Sequence, residues 1–261
     1  MFNYFLMLNW VTKLLMLVIL SASASASAST TKEVLMLTDD GPPHMIMASN
    51  NGIDVDIARE VLQEMGYTVK LDYAPLKRSM HQVAHKKAHL FLPTFFQEDT
   101  SKLFISASII KYRPTAFSLK KNNFLFNVIS DLKGKRLATF QGATGYFGEE
   151  FVKVSHYKSY RELHDMSKLP EMLIKGRVDI VVLDYYIFYY FLQKYLRDNP
   201  TDTFSIKKID EFSLFPEVKA YVGFHDQKLR NKFNKQLHIY KSLNKDKIVI
   251  EKYIGPVLPE L

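Results

Sequence analysis

In the stretch LIKGRVDIVVLDYY, an acid, Asp184, directly follows an apolar run, Ile180 to Leu183, of the length of one buried strand. A carboxylate at the carboxyl end of a strand in an open α/β sheet lies where ligands bind, because the crevice opens outside the strand ends. The same acid, just ahead of Tyr185, also reads as the N-cap of the next helix. A second group lies in QGATGY, where Gly142, Ala143 and Thr144 join a strand to a helix and present backbone amides suited to an anionic group. A tight turn that needs glycine explains these residues equally well, and without a Gly-Lys-Ser/Thr ending this is not a phosphate loop. Glu149, Glu150 and His44 are the candidate proton donors, although a Glu pair at a helix start more often complements the helix dipole. His81 and His85 have the i, i+4 spacing of a metal pair. Neither an HExxH pattern nor a neighbouring acid completes that site, so they read as surface residues and no metal is expected. The chain has no cysteine, which excludes disulfides, thiolate metal sites and thiol nucleophiles. No nucleophile-base constellation stands out, so binding rather than catalysis is expected.

The elements that must position these groups follow from periodicity. Val34 to Leu37 reads as a first strand ending in the loop TDDGPP, and GIDVDIAREVLQEMG as an amphipathic helix closed by Gly66. YTVKLDYA alternates as a strand, and the three pieces make a strand, helix, strand unit. A helix from about Leu76 to Lys86, a strand in HLFLPTFF and an extended segment around Ile109 to Pro114 follow. The second half repeats the theme: a strand Arg136 to Phe140, a helix starting near Tyr146 to Gly148, then a helix closed by Gly176 in front of the Ile180 strand. Beyond it come an aromatic-rich helix, strands around Phe204 to Ile209 and Lys219 to Phe224, and a helix from about Asp226 to Leu243.

Of the 261 residues, 47% are hydrophobic and 24% charged, enough for one large or two small folded domains. The net charge of +8 is scattered, which argues for solubility and against nucleic-acid binding. Residues 1–28 combine Lys13, the apolar run Leu14 to Leu20 and SASASASA, as a secretory signal peptide does, with cleavage after Ala24, Ala26 or Ala28. An uncleaved anchor is the competing reading.

Taken in order, GIDVDIAREVLQEMG, DLKGKRLATFQGATGY, LIKGRVDIVVLD and EKYIG resemble the bacterial extracellular solute-binding proteins of family 3, periplasmic receptors of ABC importers. The resemblance runs from about Val34 to Gly255. It implies an α/β, two-lobe periplasmic binding protein fold (type II) with two hinge strands and a ligand cleft between the lobes. Lobe one would be residues 29–112 plus 216–261, lobe two residues 113–215, with crossings near Ile109 to Thr115 and Asp210 to Glu217. By the same resemblance, Asp184 holds a ligand ammonium group, and Gly142, Ala143 and Thr144 help to hold a carboxylate. Asp39, with Asp40 beside it, makes a polar contact. The arginine with which the family forks onto a carboxylate has no counterpart: FFQEDTSKLFIS carries Asp99 near that place, and Lys102 is its only base. Arg78 or Arg113 is the candidate substitute, each also readable as a surface arginine. Leu76 stands where the family has an aromatic, so Phe95, Phe96 or Tyr146 is expected to form the apolar wall, and Thr94 joins the ligand contacts.

The expected protein is thus a monomeric periplasmic receptor without cofactor. Its partners are a small polar, amino-bearing ligand and an inner-membrane ABC permease, and it binds no nucleic acid. An enzyme of the cyclohexadienyl dehydratase kind and a ligand-sensing accessory protein are the alternatives.

Overall fold

The computed structural model describes residues 32–255; the signal peptide expected over residues 1–28 lies outside them. In chain order the first elements are β1 (Lys32–Thr38), α1 (Ile53–Glu64), β2 (Tyr67–Tyr73), α2 (Leu76–Ala84), β3 (Leu90–Thr94), β4 (Phe104–Ile105) and β5 (Ile110–Tyr112). Next come β6 (Pro114–Leu119), β7 (Leu137–Phe140), α3 (Ala143–Phe147), α4 (Glu149–Ser155) and β8 (Tyr160–Leu163). The last are α5 (Leu169–Ile174), β9 (Ile180–Asp184), α6 (Tyr185–Asp198), β10 (Ile209–Phe212), β11 (Val218–Phe224), α7 (Gln227–Ser242) and α8 (Lys245–Ile254).

The strands form two sheets. The first has the order β2-β1-β3-β11-β4, with β5 also paired to β11; the second has the order β10-β6-β9-β7-β8. β1 and β3 are parallel, as are β7 with β8 and β7 with β9, whereas β11 runs antiparallel to β3, β4 and β5. The chain passes from one sheet to the other at Arg113, between β5 and β6, and returns between β10 and β11. Val218 pairs with Tyr112, so the two crossings meet side by side.

Burial explains why these segments became strands. β3, β6 and β9 are buried along their whole length, as strands covered on both faces must be, while β2 alternates with one face toward solvent. One core packs α1 and α7 on the first sheet through Ile57, Val61, Phe233 and Leu237. In the second sheet Phe117 stacks on Phe188 of α6 at 3.8 Å, and the opposite face packs Ile180 and Val182 against Phe151 of α4.

Two expectations are modified. The strand expected over Phe204 to Ile209 is a 3-10 turn at Ile206–Lys208 followed by β10. Its partner β6 ends at Leu119, opposite Ile209, so residues upstream of Ile209 have no ladder to join. The helix expected near Tyr146 is two short ones, broken at Gly148, whose φ of 81° and ψ of −173° interrupt the helical path. Gly176 takes the expected left-handed position, with φ of 65°.

Asp226 caps α7, its carboxylate accepting from Leu229 N–H at 2.6 Å. Asp226→Ala is expected to cost about 1 kcal/mol and to lower Tm by about 2–4 °C, as thermal unfolding followed by circular dichroism will read.

Candidate functional site

Asp184 ends β9 and is the N-cap of α6. Its Oδ1 accepts from the N–H groups of Tyr186 at 2.9 Å and Ile187 at 3.2 Å, and Oδ2 accepts from Arg113 N–H at 2.7 Å. The helix-cap reading is therefore realised, and the cap stands directly at the crossing between the sheets. The N-terminus of α6 and three amide donors thus face this carboxylate.

His44, from the loop after β1, approaches the same carboxylate. Its Nε2 is 3.4 Å from Asp184 Oδ1 and its Nδ1 is 2.7 Å from Oδ1 of Asp54, the second residue of α1. The Tyr112 hydroxyl donates to the other oxygen of Asp54 at 2.8 Å, and its ring stacks on the imidazole at 3.9 Å. His44 is 2% exposed and Asp54 fully buried, so neither charge has water to fall back on. Burial alone disfavours the imidazolium. The charge and hydrogen bonds of Asp54 and Asp184 outweigh it and raise the His44 pKa to about 9. Burial first, then the adjacent Asp54, pushes the Tyr112 phenol well above its ordinary value, so it stays a donor.

Beside Asp184 a cavity of about 230 Å³ opens between the strand ends. Phe95, just past β3, and Tyr112 of β5 border it from the first sheet's side, and Phe140, Tyr146 and Phe147 from the second. Among the described residues Asp184 is its one ionised wall group, and no Lys or Arg lines it. Burial, and secondarily the charge of Asp184, raises the Tyr146 phenol pKa, placing that hydroxyl within the field of the acid.

The expected site residues divide accordingly. Asp184, Phe95 and Tyr146 come together at the cavity; Phe96 does not join them and is partly exposed. Arg113 contributes its backbone N–H, while its guanidinium lies over the Tyr185 ring at 4.4 Å. Arg78 sits exposed on α2. The amides of Gly142 and Thr144 are engaged by the Glu162 carboxylate of β8, at 2.9 Å and 3.4 Å, and Ala143 is buried. Asp39 and Asp40 accept from the backbone N–H groups of Asp40 and Met47. Thr94 is buried at the end of β3, its hydroxyl without a partner among the described residues. Asp99, near the place where the family carries an arginine, is itself paired with Arg230 at 3.0 Å. Asp54 and Tyr112 carry no mark of these roles in the sequence, where His44 stands only as a candidate proton donor. Phe95 and Tyr146 are expected on the cavity wall; Phe140 and Phe147, the further wall aromatics, flank QGATGY and are not among the expected site residues.

The sequence profile of the bacterial extracellular solute-binding proteins, family 3, matches residues 34–256. The chain belongs to this family. Its fold is the two-lobe α/β fold of the periplasmic binding proteins, as similar solved structures show. An ancestral cationic amino acid solute-binding protein superposes with a TM-score of 0.66 at 17% identity, over 85% of this chain and 95% of that one. A substrate-binding protein of an ABC uptake transporter from Streptococcus pneumoniae, with bound histidine, gives 0.56 at 18% identity over 92% and 100%. A histidine kinase sensor domain similar to periplasmic binding proteins gives 0.57 at 14% identity over 88% and 99%. No curated protein matches the chain. Among the described residues of this family 3 protein, no three His, Cys, Asp or Glu side chains gather as a metal site, and no helix is long and apolar enough to cross a membrane.

Proposed function

We propose that this family 3 protein is a periplasmic receptor that captures a small amino-bearing molecule in the cavity beside Asp184 and delivers it to an ABC-type permease in the inner membrane. The observation that carries the reading is a cavity bordered from both sheets whose one ionised wall group, among the described residues, is a carboxylate at a strand end. That carboxylate keeps acceptor capacity: Oδ2 has a single donor among the described residues, Arg113 N–H, and an ionised carboxylate offers about four lone-pair sites. An ammonium group placed there gains a charge-assisted hydrogen bond. In this reading the chain is exported through cleavage of residues 1–28 and acts as a monomer. The lobes, 29–112 with 216–261 and 113–215, close about the paired crossings at Tyr112 and Val218.

The test is a mass spectrum of small molecules released from the purified protein, followed by thermal shift with each compound found. The ligand should raise Tm, because it binds only the folded state. Asp184→Asn keeps the helix cap on one oxygen but removes the charge that faces His44 and one acceptor; it should weaken the ligand at least tenfold, with Tm read alongside so that the loss of affinity is compared at temperatures where the variant is folded. Unchanged affinity in that variant would remove Asp184 from the site.

A further inference from the structure

We propose that the ligand is an aromatic amine without a carboxylate: a single ring carrying a primary ammonium group, as distinct from an α-amino acid. The inference rests on the receptor reading above and names the ligand class for the same site.

The charges of the cavity motivate it. His44 and Asp54 neutralise each other at 2.7 Å, so Asp184 carries the remaining charge of the cluster, −1, offset only in part by the N-terminus of α6. The cavity is thus electronegative at one point. A ligand carboxylate entering it would find no cation on the described walls, since Arg113 lies over Tyr185, Arg78 is exposed on α2 and Asp99 is tied to Arg230. The amides that would otherwise receive it, those of Gly142 and Thr144, already hold Glu162. A buried carboxylate left without such partners binds poorly.

Shape and lining supply the rest. The volume of about 230 Å³ exceeds the 150 Å³ or so that holds one benzene. It accommodates one ring and a short side chain. Phe95, Phe140, Tyr146 and Phe147 share the wall with Asp184 and supply aromatic surface to such a ring, while Tyr112, also on the wall, already has one ring face stacked on His44.

The experiment is calorimetric titration of the mature protein, freed of co-purified ligand, with a matched series: 2-phenylethylamine, 2-phenylethanol, L-phenylalanine, 3-phenylpropionate and n-butylamine. The amine should bind at least tenfold tighter than L-phenylalanine, 3-phenylpropionate or n-butylamine. In Asp184→Asn its advantage over 2-phenylethanol should vanish. Tyr146→Ala, at a half-exposed side chain, should weaken the amine and the alcohol alike. If L-phenylalanine binds as tightly as the amine, or n-butylamine does, the ligand class is overturned while the receptor reading stands. If nothing in the series binds, the class is again overturned, and the spectrum of released molecules decides separately whether the protein is a receptor.

Discussion

Replacing His44 with Ala is expected to remove about 3–5 kcal/mol of stability, the usual cost of stripping one partner from a buried ion pair. Asp54 is left fully buried, with the Tyr112 hydroxyl as its remaining side-chain donor, and Asp184 loses its neighbouring cation. Urea unfolding will read the loss as a lower midpoint at unchanged slope. The wild-type pH profile carries the same information. Asp54, Asp184, Tyr112 and Tyr186 surround the imidazole, and its pKa rises from 6.5 to about 9 on folding. A group whose pKa is raised by folding stabilises fully below its unfolded pKa and loses that contribution as pH climbs through the folded one. The wild type should therefore lose roughly 3 kcal/mol between pH 6.5 and 9, and the His44→Ala profile should be flat by comparison in that window. Equal slopes for the two proteins would show that His44 is neutral in the fold.

A second large effect is expected at Gly52, which precedes α1 with φ of 140° and ψ of 164°. That backbone conformation is essentially reserved for glycine. A Cβ there would lie 2.3 Å from the His44 carbonyl oxygen and 2.8 Å from Met45 Cα, so backbone rather than a side chain would have to move. The His44 carbonyl accepts the Asp54 N–H, and the Gly52 N–H donates to the Tyr253 hydroxyl. Gly52→Ala thus pushes apart the two segments that bring His44 to Asp54. The expected loss is about 4 kcal/mol or more, seen as a large fall in Tm or in soluble yield. A variant within about 1 kcal/mol of the parent, the ordinary effect of a point substitution, would show that the turn accepts a side chain here.

Much of the architecture was legible because burial on two faces leaves a plain trace: β3 and β9 are short apolar runs, and α1 shows one apolar stripe. Asp184 was legible because an acid ending such a run has few places to be. Asp54 was not. An acid in the first turn of a helix ordinarily answers the dipole in solvent; here α7 and α8 pack on α1 and the loop after β1 folds back over it, a consequence of contacts distant in sequence. Tyr112 was hidden for the same reason, reaching Asp54 from a strand 58 positions away. The amides of Gly142 and Thr144 could be read as an anion cradle. That β8 would bring its own anion, Glu162, to them depends on β7 and β8 lying side by side, which local patterning does not reveal.

The position of β11 gives the two sheets different loop-closure demands. The strands of the second sheet lie in one continuous run of chain, from β6 to β10, whereas the first sheet needs β11 between β3 and β4. Every strand of the second sheet lies before Val218, whereas β3, buried along its whole length, keeps an apolar edge open until β11 pairs with it. The second sheet can therefore be completed from one contiguous segment, whereas the first closes only when Val218 to Phe224 pairs with three strands at once.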